Sequence, residues 1–158
     1  MEYTDEMISK FESEYNSALD NIDKLVNANV IGKFNPAFYA PMQWIRIDAL
    51  DKKDWPNNIG DNSVFIEFKV DFDTRKVEVT RSGHVYLSPK DLETPKYKYL
   101  AMKSIVSVGV DKGLKKFRKS NFKDASDLAK KISKYYNNVM ECVAEYTGGY
   151  PYKQGIEK

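Results

Sequence analysis

Val64-Phe65-Ile66-Glu67-Phe68-Lys69-Val70-Asp71-Phe72 decides the reading of this chain. Val64, Ile66, Phe68, Val70 and Phe72 fall on one side of an extended backbone, and Phe65, Glu67, Lys69 and Asp71 fall on the other. A period of two with one wholly apolar face predicts a strand with a buried side and a charged, solvated side. Asp73-Thr74-Arg75-Lys76 then breaks the run, and alternation resumes at Val77 and Val79, which predicts an antiparallel hairpin with charge pairs across its outer face. Ser82-Gly83 punctuates again before a short extended piece from His84 to Leu87.

Upstream, Gln43 to Leu50 alternates Ile45, Ile47 and Ala49 with Trp44, Arg46 and Asp48, which predicts a further half-buried strand. The Asp51 to Asn62 stretch, with Pro56 and Gly60, reads as a loop. Phe34 to Pro41 reads as a proline-punctuated connector, because the residue before each proline is biased to extended geometry.

Both ends of the chain carry a different period. Ile8, Phe11, Tyr15, Ala18, Leu19, Ile22, Leu25 and Val26 recur every three or four residues, the stripe of an amphipathic helix. Thr4 is its expected cap, Asp5 and Glu6 suit its positive first turn, and Asn27 to Gly32 is its expected stop. A second stripe of Ala125, Leu128, Ala129, Ile132, Tyr136, Val139, Val143 and Tyr146 begins after Asp124 and ends at Gly148-Gly149. Between the strands and this helix, residues 96 to 120 read as a short helix through Tyr97, Leu100 and Ala101. A hairpin is expected to follow, in which 105–110 and 114–120 are joined by a turn at Asp111-Lys112-Gly113.

These elements predict an α+β fold, an antiparallel sheet of about four to six strands covered on one face by the N-terminal and C-terminal helices. The order helix, strands, short helix, strands, helix resembles small secretion-chaperone folds in general layout, a likeness of architecture that implies no activity. At 158 residues, with 42% hydrophobic and 30% charged side chains, one domain over 1–158 is expected, with 149–158 as a flexible tail. No run approaches the roughly 20 apolar residues of a bilayer span. The acidic amino terminus lacks the profile of a secretory signal, so the expectation is a cytoplasmic protein without a membrane partner.

The inventory for bond-making chemistry is small. His84 is the single histidine and Cys142 the single cysteine, so neither a zinc site of usual spacing nor a redox dithiol can be assembled from them. A turn histidine is ordinarily solvated, and a cysteine on an apolar helix stripe ordinarily behaves as a small hydrophobe. No phosphate-cradling glycine pattern occurs. The expectation is therefore no catalytic residue, no metal and no cofactor. One motif argues otherwise: Glu67-Phe68-Lys69 resembles the carboxylate-x-lysine element of restriction-endonuclease-like nucleases, which implies a metal-dependent nuclease using Glu67 and Lys69. Cross-strand pairing on a charged outer face produces the same three letters without catalysis.

Two features point to partners. Charge is segregated: residues 1–95 carry a net charge of −6 and residues 96–134 a net +9. Within the basic region Lys112, Lys115, Lys116, Arg118, Lys119, Lys123, Lys130, Lys131 and Lys134 could neutralise phosphates. Lysine outnumbers arginine there, which suits sequence-indifferent contact to a nucleic-acid backbone, or a merely solvated face, better than base reading. In addition, Phe38, Tyr39, Trp44, Trp55, Tyr150 and Tyr152 fall outside every periodic stripe, and such aromatics suit protein interfaces when they are not packed over the sheet. The leading expectation is a non-enzymatic interaction module, a small inhibitor or adaptor docking on a larger protein, followed by a nonspecific nucleic-acid-binding protein.

Overall fold

Alternation over 64–72 becomes a central strand of a five-stranded antiparallel sheet in the computed structural model, which describes residues 2–37, 39–49, 64–85 and 103–146. In chain order the elements are α1 (Asp5–Leu25), β1 (Ala28–Ile31), β2 (Met42–Ala49), β3 (Phe65–Asp71), β4 (Lys76–Ser82), β5 (His84–Val85), β6 (Lys103–Ser104), α2 (Ile105–Asp111), β7 (Ser120–Asn121) and α3 (Ala125–Tyr146). The main sheet runs β1-β2-β3-β4-β7, and β5 and β6 form a separate antiparallel pair. The fold is α+β, with its long helices at the two ends of the described chain.

Register explains which side chains meet. Ile45 stands opposite Phe68 and Ile47 opposite Ile66 on the inner face, and Phe68 stands opposite Val79. These side chains, apart from the partly buried Val79, are fully buried. Both long helices close over that same face. The Phe72 ring meets Tyr15 of α1 edge-on, while Phe68 meets Tyr135 of α3 in the same way. Thr4 caps α1 by accepting from the Met7 N–H at 3.2 Å, and Asp124 accepts from the Asp127 N–H at 2.8 Å before α3. The helices also touch directly: Asn137 donates from Nδ2 to the Leu25 carbonyl at 3.1 Å, satisfying an orphan acceptor at the end of α1.

The β3–β4 turn is tied from several directions. Asp71 Oδ1 accepts from the N–H groups of Asp73 and Thr74. Arg75 follows in the left-handed region at φ 58°. Its guanidinium donates to Glu14 of α1 at 2.7 Å and to the Lys123 carbonyl at 2.8 Å, so contacts from two other parts of the chain hold an unfavourable backbone angle.

Four expectations are corrected. Asn27 to Gly32 is not simply a helix stop, because Ala28–Ile31 pairs with Ala49–Arg46 as an edge strand. Residues 105–110, read as a strand, are helical. Ser104 caps α2 by accepting from the Ser107 N–H, and Gly109 lies against Leu114 and Val139 so closely that an added Cβ would sit 3.3 and 3.4 Å from them. The expected turn at 111–113 is the helix's C-terminal cap. Gly113, at φ 98°, donates to Val110 and Leu114 donates to Gly109, the paired pattern that ends helices in a left-handed residue. Finally, 114–119 forms no ladder and only Ser120–Asn121 joins the sheet, against Lys76 and Val77. The expected helix around Tyr97, the loop at 51–62 and the tail at 149–158 lie outside the described residues.

Phe68 is the side chain where the sheet, α3 and the basic segment converge, through ring contacts with Tyr135 and Phe117. Phe68→Ala is expected to lower unfolding free energy by about 3–5 kcal/mol, read from urea midpoints at unchanged m-value.

Candidate functional site

The outer face of the sheet is a charge ladder with an apolar margin. Glu67 on β3 accepts from Arg81 on β4 at 3.0 Å, Lys69 meets Glu78 at 3.1 Å, and Arg46 meets Asp48 at 2.6 Å along β2. Phe65, the one aromatic in the charged half of the β3 alternation, lies beneath two guanidiniums. Arg46 sits 3.8 Å and Arg81 5.2 Å from its ring centroid. Glu67 and Lys69, the pair that resembles a nuclease element, therefore share the outer face, each in an ion pair with β4. Among the described residues no group of three acidic, histidine or cysteine side chains is placed to hold a metal ion.

At the β1 margin the ladder gives way to two large apolar side chains left in solvent, Ile31 and Trp44, each 48% exposed. Ile31 stands opposite Arg46 in the β1–β2 register, and Trp44 is two residues along β2 from Arg46, so the three share one face. Between them opens a groove of about 400 Å³ whose walls include Gly32, Lys33, Asn35 and Gln43.

The groove floor is built from buried polar contacts. Gln43 is buried and fully used: its Oε1 accepts from the Asn35 N–H, and its Nε2 donates to the Asn35 and Ala40 carbonyls at 2.8 Å. This amide fixes the connector against β2. Tyr15 reaches up from α1, donates its O–H to the Trp44 carbonyl at 2.6 Å and accepts from the Lys33 N–H. Burial pushes its hydroxyl up to about pKa 12. Gly32 passes directly over that hydroxyl. A Cβ there would overlap the Tyr15 oxygen and lie 3.1 Å from Leu19 Cδ2, so glycine is needed for room.

Other candidates fall elsewhere. Tyr39 is exposed but engaged, packing edge-on to Tyr3 with their hydroxyls 3.0 Å apart. The Tyr3 hydroxyl also bonds Asp73, and the Tyr39 contact is the largest cause holding its acidity below that of an ordinary phenol. Phe38, Trp55, Tyr150 and Tyr152 lie outside the described residues. Phe117 and Tyr135, available in principle for base stacking, pack on each other at 4.8 Å between ring centroids, and Phe122 is buried against Phe72.

The basic side chains divide into two sets. Lys112 meets Glu145, and Lys131 meets Asp127 and the Asn121 carbonyl; Lys123 bonds Asp127 only through its backbone N–H, the main cause holding that carboxyl below its usual range, and its exposed ammonium forms no ion pair with a described carboxylate. Lys115, Lys116, Arg118, Lys119, Lys130 and Lys134 are exposed and pair with no described carboxylate. His84 is exposed on β5. The Cys142 thiol is raised by burial and then by Glu145 and Glu141, the reverse of activation.

The chain matches no known protein family, curated protein or solved structure. The groove is thus read from its own geometry. Of its residues Trp44 stood out in the sequence as an aromatic outside the stripes, and Glu67 stood out for a different reason, the resemblance to a nuclease element. Ile31 was hidden inside an apparent helix stop, and Gly32 and Gln43 carry no signal until their neighbours are known.

Gly32→Ala is expected to cost about 1–3 kcal/mol through overpacking against Tyr15, seen as a lower melting temperature. The Tyr15 hydroxyl also makes stability pH-dependent. Its folded pKa lies above the ordinary 10, so its contribution is intact below pH 10 and is lost as pH rises from 10 towards 12. Urea midpoints should fall more steeply over that window in the wild type than in Tyr15→Phe.

Proposed function

We propose that this protein is a non-enzymatic interaction module, a small inhibitor or adaptor, and that it docks on a larger protein through the Trp44 groove. The observation that supports this most is the half-exposed Trp44 on a rigid inner strand, its backbone tied to Tyr15, beside the equally exposed Ile31. A tryptophan in that position offers large contact area at little conformational cost, and such residues dominate binding energy in protein interfaces.

The surroundings fit the same reading. Arg46, Glu67 and Arg81 form a polar rim whose charges are already paired, so a partner need not neutralise isolated ions when it covers them. β1 is one edge of the sheet among the described residues, and Lys33 follows it at the groove mouth. The complementary partner presents an apolar anchor to Trp44 and Ile31, with hydrogen-bonding or acidic groups around it.

The test is affinity capture with wild-type protein and with Trp44→Ala, followed by calorimetry on the purified partner. Trp44→Ala is expected to weaken that complex by at least about tenfold, with Ile31→Asp doing the same, while both variants keep their melting temperatures. A partner that binds both variants as tightly as wild type would place the docking surface elsewhere.

A further inference from the structure

Independently of the Trp44 groove, we infer that Lys115, Lys116, Arg118, Lys119, Lys130 and Lys134 form a binding strip for the phosphate backbone of duplex nucleic acid.

The strip is held in place by what lies under it. Leu114 hydrogen-bonds back to Gly109 and lies beside it, Phe117 packs on Phe68 and Tyr135, and the Asn121 carbonyl accepts from Lys131 at 2.6 Å. These anchors fall at intervals along the segment, so it runs antiparallel to α3, from beside Val139 past Tyr135 to Lys131. The residues between anchors, 115, 116, 118 and 119, are exposed, and Lys130 and Lys134 lie one helical turn apart on the neighbouring solvent side of α3. Lys130 and Lys134 stand about 6 Å apart along the axis of α3, and the three anchors hold the cations of the segment alongside that stretch of the helix.

Three observations select the ligand. First, the outer sheet face pairs Arg46, Lys69 and Arg81 with carboxylates, whereas these six cations form no ion pair with a described carboxylate; Lys119 borders a small cleft that Asp71 and Glu78 also line, and the other five stand clear of it. Second, the segment's own apolar residues, Leu114 and Phe117, are partly buried against the core, and exposed Val110 lies before it on α2. Protein interfaces are depleted in lysine and depend on exposed apolar anchors, while nucleic-acid interfaces are polar and strongly positive. Third, Phe117 and Tyr135 are engaged with each other and with Phe68, so their rings are not free platforms for unpaired bases. That leaves contact to phosphates, without sequence preference and without a need for single strands.

The experiment is fluorescence anisotropy with the full chain and a labelled 20-base-pair DNA duplex of random sequence, from 50 to 200 mM salt. Binding is expected to weaken by about a thousandfold across that range, with a log–log slope near −5 for six contacts. Neutralising Lys115, Lys116, Arg118 and Lys119 to glutamine should flatten the slope by about 3 to 4, and Lys130→Gln with Lys134→Gln by about 2. Lys10→Gln with Lys24→Gln on α1 should change nothing. Melting temperatures identify any variant that has lost its fold, and the α3 pair tests the strip without touching the segment. The inference is overturned by absence of binding at 50 mM salt, by a slope near zero, or by variants that bind as wild type. Tighter binding to the single strand would also overturn it. So would competition by polyglutamate that equals duplex at matched charge, which would assign the strip to an acidic protein.

Discussion

A single phenol holds the upper part of this molecule together. Tyr15 is fully buried where α1 meets the β1–β2 margin, and its hydroxyl is the meeting point of three backbone segments: the Trp44 carbonyl accepts from it, the Lys33 N–H donates to it, and Gly32 passes over it. A hydroxyl out of water must be paired, and the pairs available here lie on the edge of the sheet and on the connector beyond it. The packing of α1 therefore dictates where the connector leaves β1 and where Trp44 sits on β2. The Gln43 amide completes the arrangement from the other side by fastening Asn35 and Ala40.

Much of the architecture was legible because its periods are long and clean. Nine residues at 64–72 that alternate except for Phe65, and two stripes spanning several turns, leave little room for another reading, and register then follows from which face is apolar. Where the sequence misleads, contacts distant in the chain outweigh local preference. Ala28–Ile31 is four residues between an asparagine and a glycine and becomes a strand because β2 offers it a ladder. Ile105-Val106-Ser107-Val108-Gly109-Val110 has the β-branched composition of a strand. It coils because Ser104 caps it and Gly109 admits Leu114 and Val139 at close range. As an interface the candidate groove was legible only through Trp44, since Glu67 drew notice for another chemistry and an exposed isoleucine and a glycine chosen for clearance look like any others until folded.

Charge is spent differently on the two sides of the fold. On the outer face, cross-strand register brings opposite signs together, and even Phe65 is covered by guanidiniums, which quiets that surface electrostatically. Along the segment beside α3, anchors at Leu114, Phe117 and Asn121 fix the backbone while cations accumulate between them. Among the described residues of the basic stretch 96–134, Lys115, Lys116, Arg118, Lys119, Lys130 and Lys134 are exposed and form no ion pair with a described carboxylate.

The mismatch between β3 and β4 carries a consequence for how the molecule lives in a crowded solution. Glu67 pairs with Arg81 but Phe68 pairs with Val79, leaving Thr80 as an extra residue whose hydroxyl turns back to the Glu67 carbonyl. Beyond Val77 no described strand of the main sheet continues on that side of β4. A bulge there coils the exposed margin and spoils its repeat, so a second chain approaching edge to edge finds no straight template on which to grow a fibril.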